Sequence, residues 1–484
     1  MKKISDCSII LDPRWFGKFL NHFGRYTLLF SCLLLTLSFS TQAQSIDKAY
    51  RSQTIQQLNK LLEANYVFED VAKKTTAHLN KQLKAGYFDE YQDIKSFAEA
   101  LTEEVQAINK DKHMRIRPTP PYEAPDNTPE RLIEQHLHRL GQTRSNAAGF
   151  KAVKKLDGNI GYIDLRGFAD VQSGAPMADR SMAIIAGSDA IIIDLRKNGG
   201  GSPAMVQYLC SYFFGERVHL NSLYWRQGDR TDEFWTLDKV GGKKLPNIPL
   251  FVLTSSRTFS GAEEFSYNMQ TQKRATLVGE TTGGGANPGG GFNINADLTV
   301  FIPTGAAVNP ITGTNWEGVG VVPEVKTSAE DALDKAISLA TAAATAYRDK
   351  NKKEASQLLM GLFGELQAIK AGASNDAVLE SLKKGCAMDI LGENDINILG
   401  YYFMQDIKNT HAAEALLKSN TILFPESANV YDSYGEILVA NGKIEKAAKN
   451  FAKAVELAKA NKDPNIEVFK ANLARTKEQI KKSN

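Results

Sequence analysis

Apolar positions in the first part of the chain recur three and four residues apart. Ile55, Leu58, Leu61 and Leu62 form one such stripe and Phe97, Leu101, Val105 and Ile108 another, which predicts amphipathic helices between Ile46 and about Asn109. The proline-rich stretch Arg117-Pro-Thr-Pro-Pro-Tyr-Glu-Ala-Pro125 cannot continue a helix and reads as a linker. From about Ala152 the period shortens. Ile160–Leu165, Ala190–Leu195, Pro249–Thr254 and Thr276–Gly279 are near-continuous Ile, Val and Leu, the pattern of strands buried on both faces, with helices expected over Pro203–Phe214 and Gly261–Gln272. Strands alternating with helices predict an α/β domain that closes near Thr327. Beyond Ser328 the chain is again helical and carries an internal repeat. Leu399-Gly400 with Phe403, Ala412 and Leu416 is echoed 35 residues later by Tyr434-Gly435 with Leu438, Ala447 and Phe451, a tetratricopeptide-like period.

The N-terminus has a different texture. Lys2, Lys3, Arg14, Lys18 and Arg25 precede an uncharged apolar run from Tyr26 to Phe39, and Thr41-Gln42-Ala43 offers small residues for cleavage, so a secretory signal over 1–43 and export to the periplasm or medium are expected. Its removal takes five basic and two acidic side chains from 58 and 55, leaving 53 of each. A mature chain without net charge lacks the electrostatic footprint of a nucleic-acid binder. Only Cys210 and Cys386 remain, too far apart for a zinc motif or a disulfide framework. The expected division is therefore signal 1–43, helical cap 44–117, linker 118–151, α/β core 152–327, helical connector 328–390 and repeats 391–484.

Chemistry concentrates at strand ends. Leu253-Thr-Ser-Ser-Arg-Thr-Phe-Ser260-Gly-Ala-Glu263 runs from a buried strand through a polar turn into a helix, which places Ser260 where the first helical N–H groups converge. The same residues also spell a capping box, Ser-x-x-Glu. Asp194-Leu-Arg-Lys-Asn-Gly-Gly-Gly201 ends another buried strand in glycines whose N–H groups, with that of Gly261, suit an oxyanion; a tight turn is the simpler reading. A serine nucleophile needs a base. Of seven histidines, His113 lies where the last cap helix gives way to a strand, which alone leaves it no more than a candidate.

Taken together and in order, Asp111-Lys-His113, Asp194–Gly201, Thr258-Phe-Ser260-Gly-Ala-Glu263 and Asn315-Trp-Glu-Gly-Val-Gly-Val-Val-Pro-Glu324 resemble the serine peptidases that include tail-specific C-terminal processing proteases, the tricorn core and interphotoreceptor retinoid-binding protein. The resemblance covers roughly 46–327 and is nearest to the retinoid-binding-protein-like branch. It implies a crotonase/ClpP-like α/β core behind a helical cap, with an all-α repeat domain following. It also implies Ser260 as nucleophile, His113 as general base, Glu317 as its orienter and the Gly261 and Gly200 N–H groups as oxyanion donors, with polypeptide substrates and neither cofactor nor metal. The processing branch uses a lysine about 25 residues after its serine, but position 285 here is glycine and no lysine follows before Pro323. The 45 residues between His113 and Gly158 leave no room for a PDZ domain, and Lys112 stands where the tricorn-like pattern has serine. Asp111 reads as an exposed turn residue. Two other functions compete with hydrolysis: a carrier of apolar ligands or peptides on the same scaffold, and an adaptor whose repeats bind protein partners.

Overall fold

The computed structural model describes residues 46–119, 128–370 and 375–483. The expected signal segment and most of the proline-rich stretch lie outside them. The chain opens with α1 (Lys48–Asn65), α2 (Glu69–Lys84) and α3 (Ile94–Asn109). Asp47 caps α1 by accepting from Tyr50 N–H, and Asp93 caps α3 by accepting from the N–H groups of Lys95 and Ser96. Ile55, Leu58, Leu62, Phe97, Leu101 and Val105, the stripes seen in the sequence, are all buried. Lys110 adopts a left-handed conformation that ends α3 and turns the chain toward β1 (Ile116–Pro118).

Where a linker was expected, Pro129–Ser145 forms a further helix, α4. Proline at its first turn costs no hydrogen bond there, so a proline-rich lead-in is compatible with a helix that follows it. The core then runs β2 (Phe150–Leu156), β3 (Ile160–Leu165), α5 (Val171–Ile185), β4 (Ala190–Asp194), α6 (Pro203–Ser211), β5 (His219–Trp225), β6 (Arg230–Trp235), β7 (Leu250–Thr254), α7 (Gly261–Thr271), β8 (Thr276–Gly279), β9 (Gly289–Asn293), β10 (Leu298–Pro303), β11 (Gly305–Val308) and β12 (Val325–Lys326). Its main sheet has the order β12-β8-β7-β4-β3-β2 and is parallel except for the β2/β3 pair.

One face of that sheet packs on α5, α6 and α7 through Ile163, Ile191, Ile193 and Val252. The other is covered by α8 (Ala332–Ala368), which lays Ala332, Ala336, Ala340 and Ala344 on Ile160, Tyr162, Ile192, Phe251 and Val278. Alanine every fourth residue lets a helix lie close on a flat sheet. The packing of the core therefore continues past Thr327, the expected end of the domain, into the first half of α8.

A second core joins α1–α3 to β1, β10 and β9. β1 pairs antiparallel with β10, so Ile116 faces Val300, and Leu298, Val300 and Ile302 close the bottom of the cap. Strands from the C-terminal side of the core thus hold the loop that carries His113.

Five further helices follow α9 (Asp376–Ala387): α10 (Glu393–Gln405), α11 (Thr410–Leu423), α12 (Ala428–Ala440), α13 (Ile444–Asn461) and α14 (Ile466–Ser483). The repeated glycines sit at helix crossings. A Cβ on Gly400 would lie 2.6 Å from Leu417 Cδ2, and one on Gly435 would lie 2.6 Å from Phe451 Cε1. No helix among the described residues is long and apolar enough to cross a membrane.

Candidate active site

Ser260 stands between β7 and α7 with φ +54° and ψ −124°, a left-handed setting unusual for a residue with a side chain. Such strain persists only where the surroundings fix it. Here the turn before it is tied to the turn after β4. Thr258 Oγ1 donates to Leu195 O, Ser255 Oγ to Arg196 O and Phe259 N–H to Asn198 O. After it, Glu263 Oε2 accepts from Ser260 N–H at 2.9 Å. That bond is the Glu263 half of the capping box expected from the sequence.

The glycine run is a steric requirement. A Cβ on Gly200, where φ is +102°, would lie 2.7 Å from Gly261 N and 2.8 Å from Ser260 Cβ, and one on Gly201 would collide with Phe168 O. The expected donor pair needs correcting. Gly200 N–H already donates to Asn198 Oδ1 at 2.8 Å, whereas neither Gly261 N–H nor Gly201 N–H has a partner among the described residues.

His113 is set by a chain of local hydrogen bonds. Asn109 Oδ1 accepts from Asp111 N–H, Asp111 Oδ1 from His113 N–H, and Met114 inserts fully buried into the cap core. Asp111, expected on the surface, is completely buried. Asn287 Nδ2 donates to its Oδ2, which is why a charged residue in a turn can leave the solvent. The imidazole lies against Phe259 with ring centres 4.6 Å apart and against Phe301 at 5.7 Å. Its Nδ1 is 3.8 Å from Asp111 Oδ1, and it is buried without a hydrogen-bond partner.

Glu317 comes from the loop after β11. Asn315 Oδ1 accepts from Glu317 N–H, and Trp316 Nε1 donates to Gly285 O. Glu317 Oε2 accepts from the N–H groups of Ala286 and Asn287 at 2.6 and 3.1 Å, while Oε1 is buried and unpartnered. One polar side-chain atom from each of Asp111, His113 and Glu317 lies within 4.8 Å of the others.

The structure thus brings His113 and Glu317 together and adds Asp111. It sets His113 against the residue preceding Ser260, but no hydrogen bond joins Ser260 Oγ to the imidazole. Such contacts are often long before substrate binds. The other described histidines are engaged elsewhere or exposed: His78 with Glu104, His219 with Ser222, His136 and His138 on the surface of α4, and His411 on the surface of α11.

Burial holds the imidazole down to about 4, with help from the positive charge of Arg115, so it is neutral at pH 7. Burial raises both carboxyl groups above the usual carboxylate range, and the charge of Asp111 raises Glu317 further. Two groups escaped the sequence reading. Glu263, fully buried, accepts from Thr282 Oγ1 and from the N–H groups of Gly284 and Gly285 as well as Ser260, binding the serine turn to the loop that holds Glu317. Its signal in the sequence is the Glu of the Ser-x-x-Glu pattern, which by itself marks only a helix cap. Asn287 links that loop to Asp111, and nothing in the local pattern marks it. Position 285 has no space for a lysine, since even a Cβ there would meet Phe259 and lie 2.7 Å from His113 Cε1.

Residues 159–327 match the profile of peptidase family S41. These residues form a peptidase S41 domain. Residues 42–151 match the N-terminal domain of peptidase S41 in eukaryotic IRBP, which is the helical cap together with α4. Parts of the chain are also similar to three solved structures. A candidate peptidase from Parabacteroides merdae is 19% identical, with a TM-score of 0.45 over 60% of this chain and 96% of that one. The photosystem II D1 C-terminal processing protease is 15% identical, with a TM-score of 0.36 over 58% and 94%. The tricorn protease is 15% identical, with a TM-score of 0.38 over 62% of this chain and 37% of its own.

Proposed function

We propose that this S41 peptidase hydrolyses peptide bonds through an acyl-enzyme on Ser260. The observation that carries the reading is the strained backbone of Ser260 at the turn from β7 into α7, beside the free amide of Gly261, the arrangement of a nucleophile turn. His113 is neutral at pH 7 and so able to take the serine proton as Oγ attacks the carbonyl carbon. Glu317 Oε1 and His113 Nδ1, both buried and unpartnered, are natural mates for each other once the ring turns, and their pairing would hold the imidazolium. Gly261 N–H receives the oxyanion, with Gly201 N–H in the place expected for Gly200. The proton returns from His113 to the leaving amine, the ester forms on Ser260, and water reverses the sequence.

Export as a mature protein beginning near Gln44 is part of the proposal, on the strength of the charged and apolar N-terminal pattern. So is a peptide-binding or partner-binding role for the tetratricopeptide-like helices of the tail. Incubation with unfolded casein and with a fluorophosphonate probe tests the central reading. Cleavage and labelling that both vanish in Ser260→Ala support it; a wild-type protein inert to both favours the carrier reading.

A further inference from the structure

Beside His113 lies a hollow of about 470 Å³ whose walls include Lys112, Arg115, Arg117, Phe259, Gly291 and Phe301. It follows from strand alternation. Met114 and Ile116 point into the cap core, so Arg115 and Arg117 project together from the opposite, exposed face. The register carries that face across three strands. Arg117 is opposite Thr299, which is opposite Asn293; Phe301 N–H donates to Arg115 O, and Phe301 is opposite Gly291. A Cβ on Gly291 would have nothing within 4 Å, so the row Arg115, Phe301, Gly291 is open at its glycine end.

The cations around this hollow have no carboxylate of their own. Arg166 and Arg196 form ion pairs with Asp164 and Asp194, but among the described residues no ion pair involves Lys112, Arg115 or Arg117. Lys112 Nζ donates to Gly283 O and Arg115 Nε to Lys112 O, which leaves both guanidinium ends available. In a mature chain of balanced charge, three uncompensated cations next to the base are a local excess.

We propose that this hollow binds an acidic stretch of polypeptide, with Asp or Glu side chains of the substrate on Arg115 and Arg117 and its apolar atoms on Phe259 and Phe301. The proposal deepens the peptidase reading and rests on it for its place beside the reacting bond. The shared chemistry is a carboxylate, and its source is side chains rather than a chain end. Two outward arginines two residues apart are spaced about 7 Å along a strand, the repeat of alternate side chains in an extended peptide, so each can meet a carboxylate of its own.

The test measures peptide binding to full-length Ser260→Ala by fluorescence anisotropy. Blocked peptides carrying two central Glu residues are compared with their Gln counterparts, with a neutral peptide bearing a free carboxyl terminus, and with a single-stranded oligonucleotide. The expected result is binding of the Glu peptide about tenfold tighter than the Gln peptide at low salt, from two exposed charge pairs in good geometry. The advantage should shrink at high salt. Arg115→Gln with Arg117→Gln should erase it at unchanged melting temperature, Arg115→Glu with Arg117→Glu should transfer it to a Lys peptide, and Gly291→Leu should weaken every peptide by filling the hollow. Equal binding of Glu and Gln peptides would overturn the proposal, as would affinity set by the free terminus or tighter binding of the oligonucleotide. Hydrolysis by the wild type is scored separately. Casein cleavage without Glu selectivity sinks the hollow and leaves the peptidase, whereas Glu-selective binding without hydrolysis sinks the peptidase reading and leaves the hollow.

Discussion

Replacing Glu263 by Gln is expected to disable the site although it removes none of the proposed reacting groups. Its carboxylate accepts four hydrogen bonds, from Ser260 N–H, Gly284 N–H, Gly285 N–H and Thr282 Oγ1. An amide keeps one oxygen and puts a donor where two N–H or O–H donors already point. Two bonds to a charged acceptor are lost at roughly 1.5 to 3 kcal/mol each, so a local loss of about 3 kcal/mol or more is expected. That is comparable to the roughly 1 to 3 kcal/mol that holds a residue in a sparsely populated backbone region, so the Ser260 turn should relax. Burial pushes the Glu263 carboxyl upward and its four donors pull it back, and Gln tests which form the site uses. Because the chain has several packing units, a single melting curve would blur the effect. Amide exchange by mass spectrometry over residues 260–286 and the rate of fluorophosphonate labelling are the direct readouts. Protection should fall there and not in α10–α14, and labelling should slow by about a hundredfold, the cost of a misplaced reacting atom. Labelling within twofold of wild type with unchanged exchange would show that Glu263 is a helix cap and nothing more.

Four other outcomes follow from the same geometry. Since folding lowers the His113 imidazole from 6.5 to about 4, its neutral form contributes stability above the unfolded value that is lost as pH falls through the folded one; the full shift is on the order of 3 kcal/mol, and chemical denaturation between pH 4 and 7 should be less pH-dependent in His113→Gln. Glu317 must be ionised to hold an imidazolium and its carboxyl is raised by burial and by Asp111, so the rising limb of kcat/KM should lie above the usual carboxylate range and disappear in Glu317→Gln. Ser260→Gly should be more stable than Ser260→Ala by about 1 kcal/mol, because glycine accepts the positive φ; the reverse order would mean Ser260 is unstrained. Truncation after Ser328 uncovers a face of the main sheet and should yield insoluble chain, while truncation after Lys370, which keeps α8, should retain hydrolysis of a short peptide.

The strands of the core were legible because burial on both faces writes itself as unbroken Ile, Val and Leu, and Ile160–Leu165 and Thr276–Gly279 begin and end where that pattern does. The cap helices were legible from their stripes. Pairing across the chain was not: β1 lies against β10, about 180 residues away, and no local pattern announces it. That pairing decides where His113 sits, so its neighbours Phe301 and Asn287 stayed hidden. Asp111 was misread for the same reason, since an Asp in a turn is solvated unless a distant donor replaces the water. The extent of α8 over the sheet was missed because alanine every fourth residue looks the same on a free helix as on a packed one.

Whether Ser260 and His113 act as one device is tested most directly by comparing residual kcat/KM in Ser260→Ala, His113→Ala and the double variant. Groups that share a single step lose their joint contribution when either is removed. The double variant should therefore be no slower than the worse single variant. Losses that multiply would contradict the account, because they would mean that residues 113 and 260 contribute separately.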